Sequence, residues 1–256
     1  MSILFDDAQN EYLQRSGTFI SGMPFTMACW FKSNDDTLRQ GLMSLYLSAS
    51  HYYLLEIRGN EAGDKVYLTI VDAGGGSAAF TTTGYTANQW HHACAVFTST
   101  TNRAVYIDGG SKATSSVTRN PDTPNTLGIG RIITTNYMSG QIGEAAIWSV
   151  ALADWEVALL AQGFTPMRIQ SQNLKGYWPL FSLDHLSDYA GNQNPFTAYN
   201  TPANADQPPV RTAFGFDYEW RGAYTVPVIP GALNRNGPVL NPRNQSIFKT
   251  IGKGAL

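Results

Sequence analysis

Short aromatic and β-branched runs, each closed by a cluster of Gly, Asn, Asp or Ser, recur through most of the first 150 residues. "FTMACWFKS" (Phe25–Ser33), "GLMSLYLS" (Gly41–Ser48), "YYLLEIRG" (Tyr52–Gly59), "KVYLTIVDA" (Lys65–Ala73) and "SAAFTTT" (Ser77–Thr83) open the series. "HHACAVFTS", "NRAVYIDG", "TLGIGRI" and "GQIGEAAIWS" continue it. Runs of this length with turn residues between them read as β-strands joined by hairpins. Helical segments do not alternate with them, so the spacing predicts an all-β sandwich or jelly roll rather than βαβ units. One helix signal interrupts the series. "ALADWEVALLAQG" offers Asp154 as N-cap, apolar residues at 157, 159 and 160, and Gly163 as a stop.

Composition narrows the function classes. The 256 residues carry a net charge of -2, which supplies no bulk field for nucleic acid or an anionic membrane. No apolar run approaches the ~20 residues of a membrane span. The opening "MSILFDDAQNEYLQ" has neither a basic nor a long apolar stretch, so no secretory signal is expected. With 43% hydrophobic residues the chain can bury a proper core.

"NQWHHACAVFTSTTNRAVYIDG" (Asn88–Gly109) groups two histidines, a cysteine and an Asp-Gly pair. Neighbouring side chains of a strand point to opposite faces, so His91 and His92 cannot both reach one metal ion. Asp108-Gly109 supplies positive φ and marks a hairpin end. The stretch is predicted to be scaffold.

The same stretch carries a resemblance. "WHHACAVF" followed by "AVYIDG" is similar to the central hairpin of the concanavalin A-like, laminin G-like jelly rolls, a group that includes the pentraxins. "ILFDDAQNEYLQ", "MPFTMACWFKS", "LGIGRIITTNYMSGQIGEAAIWSVALADWEVALLAQG" and "LKGYWPLF" resemble further segments of that family in the same order, over roughly residues 2–181. The resemblance implies two antiparallel sheets packed as a sandwich, and no single function.

Family chemistry can then be sought residue by residue. The glucanase motif of the superfamily is Glu-x-Asp-x-x-Glu. Here "EIRGNE" aligns Glu56 and Glu61 but puts Arg58 at the central Asp, and Gly59-Asn60 reads as a turn. Both acids are expected at the surface of a hairpin and the protein is expected to be non-catalytic. Pentraxin-type calcium loops should fall near "RIITTNYMSGQ", which is free of acids; Asp6, Asp7 and Glu144 are the weak calcium candidates, and no other cofactor is implied. Lectin sites combine aromatic faces with amides, and Tyr52, Tyr85, Asn136 and Tyr137 are the candidates, all taken as loop-borne. Pentraxins bridge the strands that here hold Cys29 and Cys94. The first cysteine is shifted by one residue, which changes its face, so two separate buried thiols are expected.

Beyond residue 181 the character changes. Eight of the 13 prolines lie at or after Pro195. From Trp220 onward five basic residues (Arg221, Arg235, Arg243, Lys249 and Lys253) meet no acidic one. With Trp220, Tyr224 and Phe248 they suit an extended arm laid on acidic neighbouring surfaces. The expected organisation is a jelly roll over 1–181 and a Pro/Gly/Asn-rich segment over 182–256, basic from about 220. The expected role is that of a bacteriophage virion protein, a capsid decoration or accessory protein first and a tail or baseplate protein next. Its expected partners are other virion subunits, copies of itself and host-surface glycans, without nucleic acid or membrane. The alternative is a freestanding glycan-binding lectin.

Overall fold

The computed structural model describes residues 1–192 and 194–210. Among the described residues fifteen strands, numbered in chain order, form two antiparallel sheets. The eight-stranded sheet contains β1 (Ser2–Phe5), β3 (Phe25–Ser33), β8 (His91–Ser99), β9 (Asn102–Ile107), β10 (Gly110–Ser115), β12 (Gly140–Trp148), β13 (Leu174–Trp178) and β15 (Ala203–Ala205). The seven-stranded sheet contains β2 (Tyr12–Ser16), β4 (Arg39–Ser48), β5 (His51–Arg58), β6 (Lys65–Asp72), β7 (Gly75–Gly84), β11 (Thr126–Ile129) and β14 (Thr197–Tyr199). The expected all-β sandwich is therefore the fold.

The side-chain period of two decides which residues enter the space between the sheets. Tyr53, Leu55 and Ile57 of β5 and Val66, Leu68 and Ile70 of β6 point inward, meeting Phe25, Met27, Cys29 and Phe31 of β3 and Ala93, Ala95 and Phe97 of β8. Phe25 stacks on Phe97 with ring centres 4.4 Å apart, and Tyr53 meets Phe25 edge-on at 4.9 Å. Asp108-Gly109 forms the expected turn with φ of 51° and 74°. The Asp108 carboxylate accepts the His92 N–H at 2.8 Å and lies 2.7 Å from His91 Nδ1, so these groups brace the hairpin.

A second apolar layer lies on the outer side of the eight-stranded sheet. Helix α1 (Asp154–Ala161) places Val157 and Leu160 over Cys94, Val96, Tyr106, Ala146 and Trp148. Its N-cap is Ala153 rather than the predicted Asp154. The Glu156 carboxylate accepts the Ala153 N–H, while the Asp154 carboxylate accepts bonds from Tyr106 and Lys112. Trp30 and Trp148 are buried, whereas Trp90 is only half-buried, beside Lys32.

Two further outcomes follow from strand register. Cys29 faces Ala93 and Ala28 faces Cys94, so the one-residue offset sends Cys29 into the inter-sheet core and Cys94 under the helix. Both thiols are free and buried, and burial pushes both thiol pKa values up. The sandwich also passes the expected boundary at 181. Residues 197–199 pair with β2 and residues 203–205 pair with β1, which adds an edge strand to each sheet. Leu186 and Phe196 enter the core, and Asn194 accepts the Trp178 indole N–H through its carbonyl at 2.7 Å. The described residues of this compact unit run to Val210. The basic-arm residues Trp220, Arg221, Tyr224, Arg235, Arg243, Phe248, Lys249 and Lys253 lie outside the described residues.

Candidate functional site

The helix covers one outer surface of the sandwich. On the other, the outward side chains of the seven-stranded sheet form two polar and aromatic clusters. Gly41 makes the first possible. A Cβ on Gly41 would sit 2.2 Å from the carbonyl carbon of Arg131, so only glycine lets the Arg131–Ile132 backbone lie on the sheet. This close approach carries the Arg131 side chain over the strands.

The Arg131 guanidinium lies 3.5 Å from the centre of the Tyr12 ring, a cation–π contact. It also donates to Gln14 Oε1 and, at 3.2 Å, to the Tyr46 hydroxyl. Tyr46 in turn donates to Gln14 Oε1. The β14–β2 register sets Tyr199 opposite Tyr12, and the two rings stack at 4.5 Å and 6°. Tyr137, on the loop before β12, closes the group at 6.1 Å from Tyr12. Tyr199 is 37% exposed, Tyr12, Gln14 and Tyr137 are half-buried, and Asn136 is exposed beside them. The result is a Tyr12 ring sandwiched between Arg131 and Tyr199, which leaves the outer face of Tyr199 and the Tyr137 ring beside the amides of Gln14 and Asn136.

The second cluster surrounds Glu56. Its carboxylate accepts from Arg39 Nε at 2.6 Å and Nη2 at 3.1 Å, from Arg58 Nε at 3.1 Å and Nη2 at 2.7 Å, and from Thr69 Oγ1 at 2.8 Å. Arg58 also donates to Glu61 at 2.7 Å and packs over the Tyr67 ring at 4.1 Å. The Tyr67 hydroxyl and Arg58 bonds hold the Glu61 carboxyl below its usual pKa. Burial pulls the Arg58 guanidinium down, but its bonds to Glu56 and Glu61 leave it above its ordinary value.

Several expectations need correction at this level. Glu61 is exposed in the turn beyond β5, as read, but Glu56 is fully buried rather than a surface acid, because two arginines and Thr69 compensate its charge. Tyr85 is 5% exposed and packs edge-on to Phe31, so it belongs to the core and not to a loop site. Tyr52 lies inside β5, paired with Tyr46, and is half-buried on the same outward face. Asn136 and Tyr137 do lie on a loop, at the rim of the first cluster. The calcium candidates are not brought together. The register Ile3–Ile142 and Phe5–Gly140 puts Asp6 and Asp7 at one end of β1 and Glu144 at the other, roughly 15 Å apart at ~3.3 Å per residue. Among the described residues no three His, Cys, Asp or Glu side chains gather as for a metal ion. Asp6 instead caps a turn by accepting the Ala8 N–H, and Glu144 accepts from Tyr177 at 2.6 Å. Tyr12, Gln14, Tyr46, Arg131 and Tyr199 were missed. The outward phase of "YLQRS" signals Tyr12 and Gln14, whereas Arg131 and Tyr199 arrive from distant segments.

A two-sheet jelly roll with an aromatic and amide face on one sheet defines a lectin-like β-sandwich. The family model of the concanavalin A-like lectin/glucanases superfamily matches residues 7–158, more than half of the chain, and the chain belongs to that superfamily. Among solved structures it is similar to the native heptameric SAP-like pentraxin of Limulus polyphemus, with 16% identity over 78% of this chain and 92% of the pentraxin, TM-score 0.56. It is similar to a Bacteroides ovatus protein assigned to carbohydrate binding, with 19% identity over 79% of this chain and 60% of that one, TM-score 0.57. Domain 4 of AbnA, a GH43 extracellular arabinanase from Geobacillus stearothermophilus seen with arabinotriose, shares 18% identity over 58% of this chain and 71% of that one, TM-score 0.51. At these identities the likeness concerns the fold. A search of curated proteins gives no match.

Proposed function

We propose that this chain is a non-catalytic carbohydrate-recognition protein that binds sugar at the Tyr12–Tyr137–Tyr199 face. The observation that carries the proposal is the stacked tyrosine pair, held by Arg131 and bordered by Gln14 and Asn136. Flat rings receive the C–H faces of a sugar and neighbouring amides satisfy its hydroxyls. Such contacts require neither a metal nor a charged ligand. The similarity to an arabinanase domain seen with arabinotriose supports the same substrate class.

The carboxylates of the Glu56 cluster do not form a glycosidase pair. A retaining glycosidase holds two carboxyl groups about 5 Å apart, one of them a general acid of raised pKa. Glu56 is consumed by five hydrogen bonds, and Glu61 is held on the ionised side by Tyr67 and Arg58. Glu61 is therefore no proton donor in waiting, and Glu56 is enclosed by its own hydrogen-bond donors.

Titration with arabinotriose and a panel of neutral oligosaccharides, followed by calorimetry, tests the proposal. Tyr199→Ala or Asn136→Ala should weaken binding by about tenfold, equivalent to ~1.4 kcal/mol, without change in folding, and no reducing sugar should be released. Binding that ignores both substitutions would overturn the face assignment.

We further propose that the recognition domain is borne on a virion, as a capsid decoration or accessory protein, with tail or baseplate next. The supporting observation is the run from Arg221 to Lys253, five basic residues without an acidic one, accompanied by Trp220, Tyr224 and Phe248. The experiment mixes the full chain, or an Arg221→Gln/Arg235→Gln/Arg243→Gln variant, with undecorated particles and pellets them. The variant should pellet less and with a flatter salt dependence, since exposed ion pairs are screened. Equal pelleting would remove the arm as the attachment device.

A further inference from the structure

On the helix-bearing side of the sandwich, away from Tyr12 and Tyr199, a cleft of about 430 Å³ opens between α1 and residues 168–173. One wall is Trp155 with Leu159; the other is built from Arg168, Ile169, Gln170, Ser171, Gln172 and Asn173. Trp155 is 63% exposed, whereas Trp30 is 6% exposed and Trp148 and Trp178 are fully buried. An indole left in solvent beside a concave polar wall is a surface suited to a ligand with an apolar face.

The polar wall is held in place from within. Glu156, 4% exposed, accepts the Ala153 N–H at 2.8 Å through one oxygen and Gln170 Nε2 at 2.6 Å through the other. Gln170 Oε1 accepts from Asn173 Nδ2 at 3.2 Å, and the Asn173 carbonyl accepts the Ser149 N–H at 2.8 Å. Gln170 adopts a left-handed backbone, φ 45° and ψ 45°, which glycine would occupy without strain. Its side chain links the helix to the far wall, a task that glycine could not perform. Strained residues of this kind cluster at ligand sites.

We propose that this cleft is a second saccharide subsite, which takes one or two neutral sugar residues stacked on Trp155 with their hydroxyls read by Gln172, Ser171 and Asn173. The size falls in the ~300–1,000 Å³ range of small-molecule sites. The Glu156 carboxylate is spent inside the protein, so the cleft offers no free carboxylate to hold an amine or a cation, and the Arg168 side chain in its lining already has a partner. The ligand class repeats that of the sheet face, but the residues are different and either site can fail alone. With both, one molecule would bridge two polysaccharide chains and gain avidity by linkage.

The experiment follows tryptophan indole N–H resonances by NMR in the full chain. Trp155→Phe assigns the Trp155 signal, and arabinotriose, cellotriose and chitotriose are titrated in turn. The expected result is a saturable shift of the Trp155 resonance by one of these sugars, retained in Tyr199→Ala and weakened at least fivefold by Gln172→Ala. If the Trp155 resonance stays fixed while Tyr199-dependent binding proceeds, the subsite is refuted and the sheet face stands. If it moves while Tyr199→Ala changes nothing else, the sheet face is refuted and the subsite stands. A shift by a proline-rich peptide, with none by any sugar, would overturn the saccharide assignment.

Discussion

Glu144→Gln is expected to stabilise the protein at pH 8 by about 3 kcal/mol and to leave its stability near the wild-type value at pH 4. Glu144 sits at a bulge of β12 with φ 54° and is 5% exposed. Burial raises its carboxyl pKa to about 7, against the lowering effect of the Tyr177 hydroxyl. The sign follows from proton counts. Between the unfolded value of 4.5 and the folded value near 7, the folded state holds a proton that the unfolded state has released. Stability from this group is fully present below pH 4.5 and is lost as pH rises to about 7. Gln keeps an acceptor for Tyr177 and never ionises, so the loss disappears.

His92 makes the experiment sharper. It lines the same interior space as Glu144, and burial lowers its pKa from 6.5 to about 4. It is therefore neutral where Glu144 ionises and cannot serve as a cationic partner. Between pH 4 and 6.5 the unfolded state binds the extra proton at His92, so its contribution rises with pH. The two slopes oppose each other over nearly the same window in the wild type. Glu144→Gln should unmask the His92 slope, a rise of about 3 kcal/mol from pH 4 to 6.5 in urea-midpoint measurements. A variant whose profile parallels that of the wild type would show that Glu144 is not a buried acid.

Glu56→Ala is expected to destabilise the fold by about 3 kcal/mol, the lower end for breaking a buried pair because Arg39 and Arg58 keep some solvent. Their side chains are 32% and 17% exposed around a carboxylate that is not exposed at all. Removing the carboxylate leaves two guanidinium groups facing each other across β4 and β5. Glu56→Gln preserves shape and one acceptor oxygen, so its cost should be about 1–2 kcal/mol. The ordering at pH 7, Ala well below Gln, is the diagnostic. Equal midpoints for the two variants would mean that the charge contributes nothing.

Local signals in the chain were sufficient for most of the sandwich and for little of its recognition face. Period-two alternation and Asp108-Gly109 depend only on nearby residues, so the β8–β9 hairpin and the β9–β10 turn are legible in the sequence. Three-residue edge strands such as β14 and β15 carry too few side chains to declare a period; pairing with β2 and β1 creates them. The same locality hid Glu56. In "EIRGNE" an acid beside an arginine looks solvated, and only the arrival of Arg39 and Thr69 from neighbouring strands makes burial tolerable. Tyr85 was misjudged for the opposite reason, since a tyrosine just after a strand resembles a loop aromatic until Phe31 is seen against it. Arg131 meets Tyr12 across 118 intervening positions, a contact announced only by Gly41, where a missing side chain admits the crossing backbone.

The pairing of β15 with β1 has a mechanical consequence. Ser2 lies opposite Ala205 and Leu4 opposite Ala203, so residues 1 and 206 leave the pair at the same end. Tension applied between them loads the ladder one bond at a time, as a zipper, and never in shear. Three residue pairs make up that ladder, with the Ser2 hydroxyl donating to the Asp206 carbonyl and Lys32 pairing with the Asp206 carboxylate at its end. Under load β15 should peel from β1 at low force, while β1 remains hydrogen-bonded to β12 along its other edge.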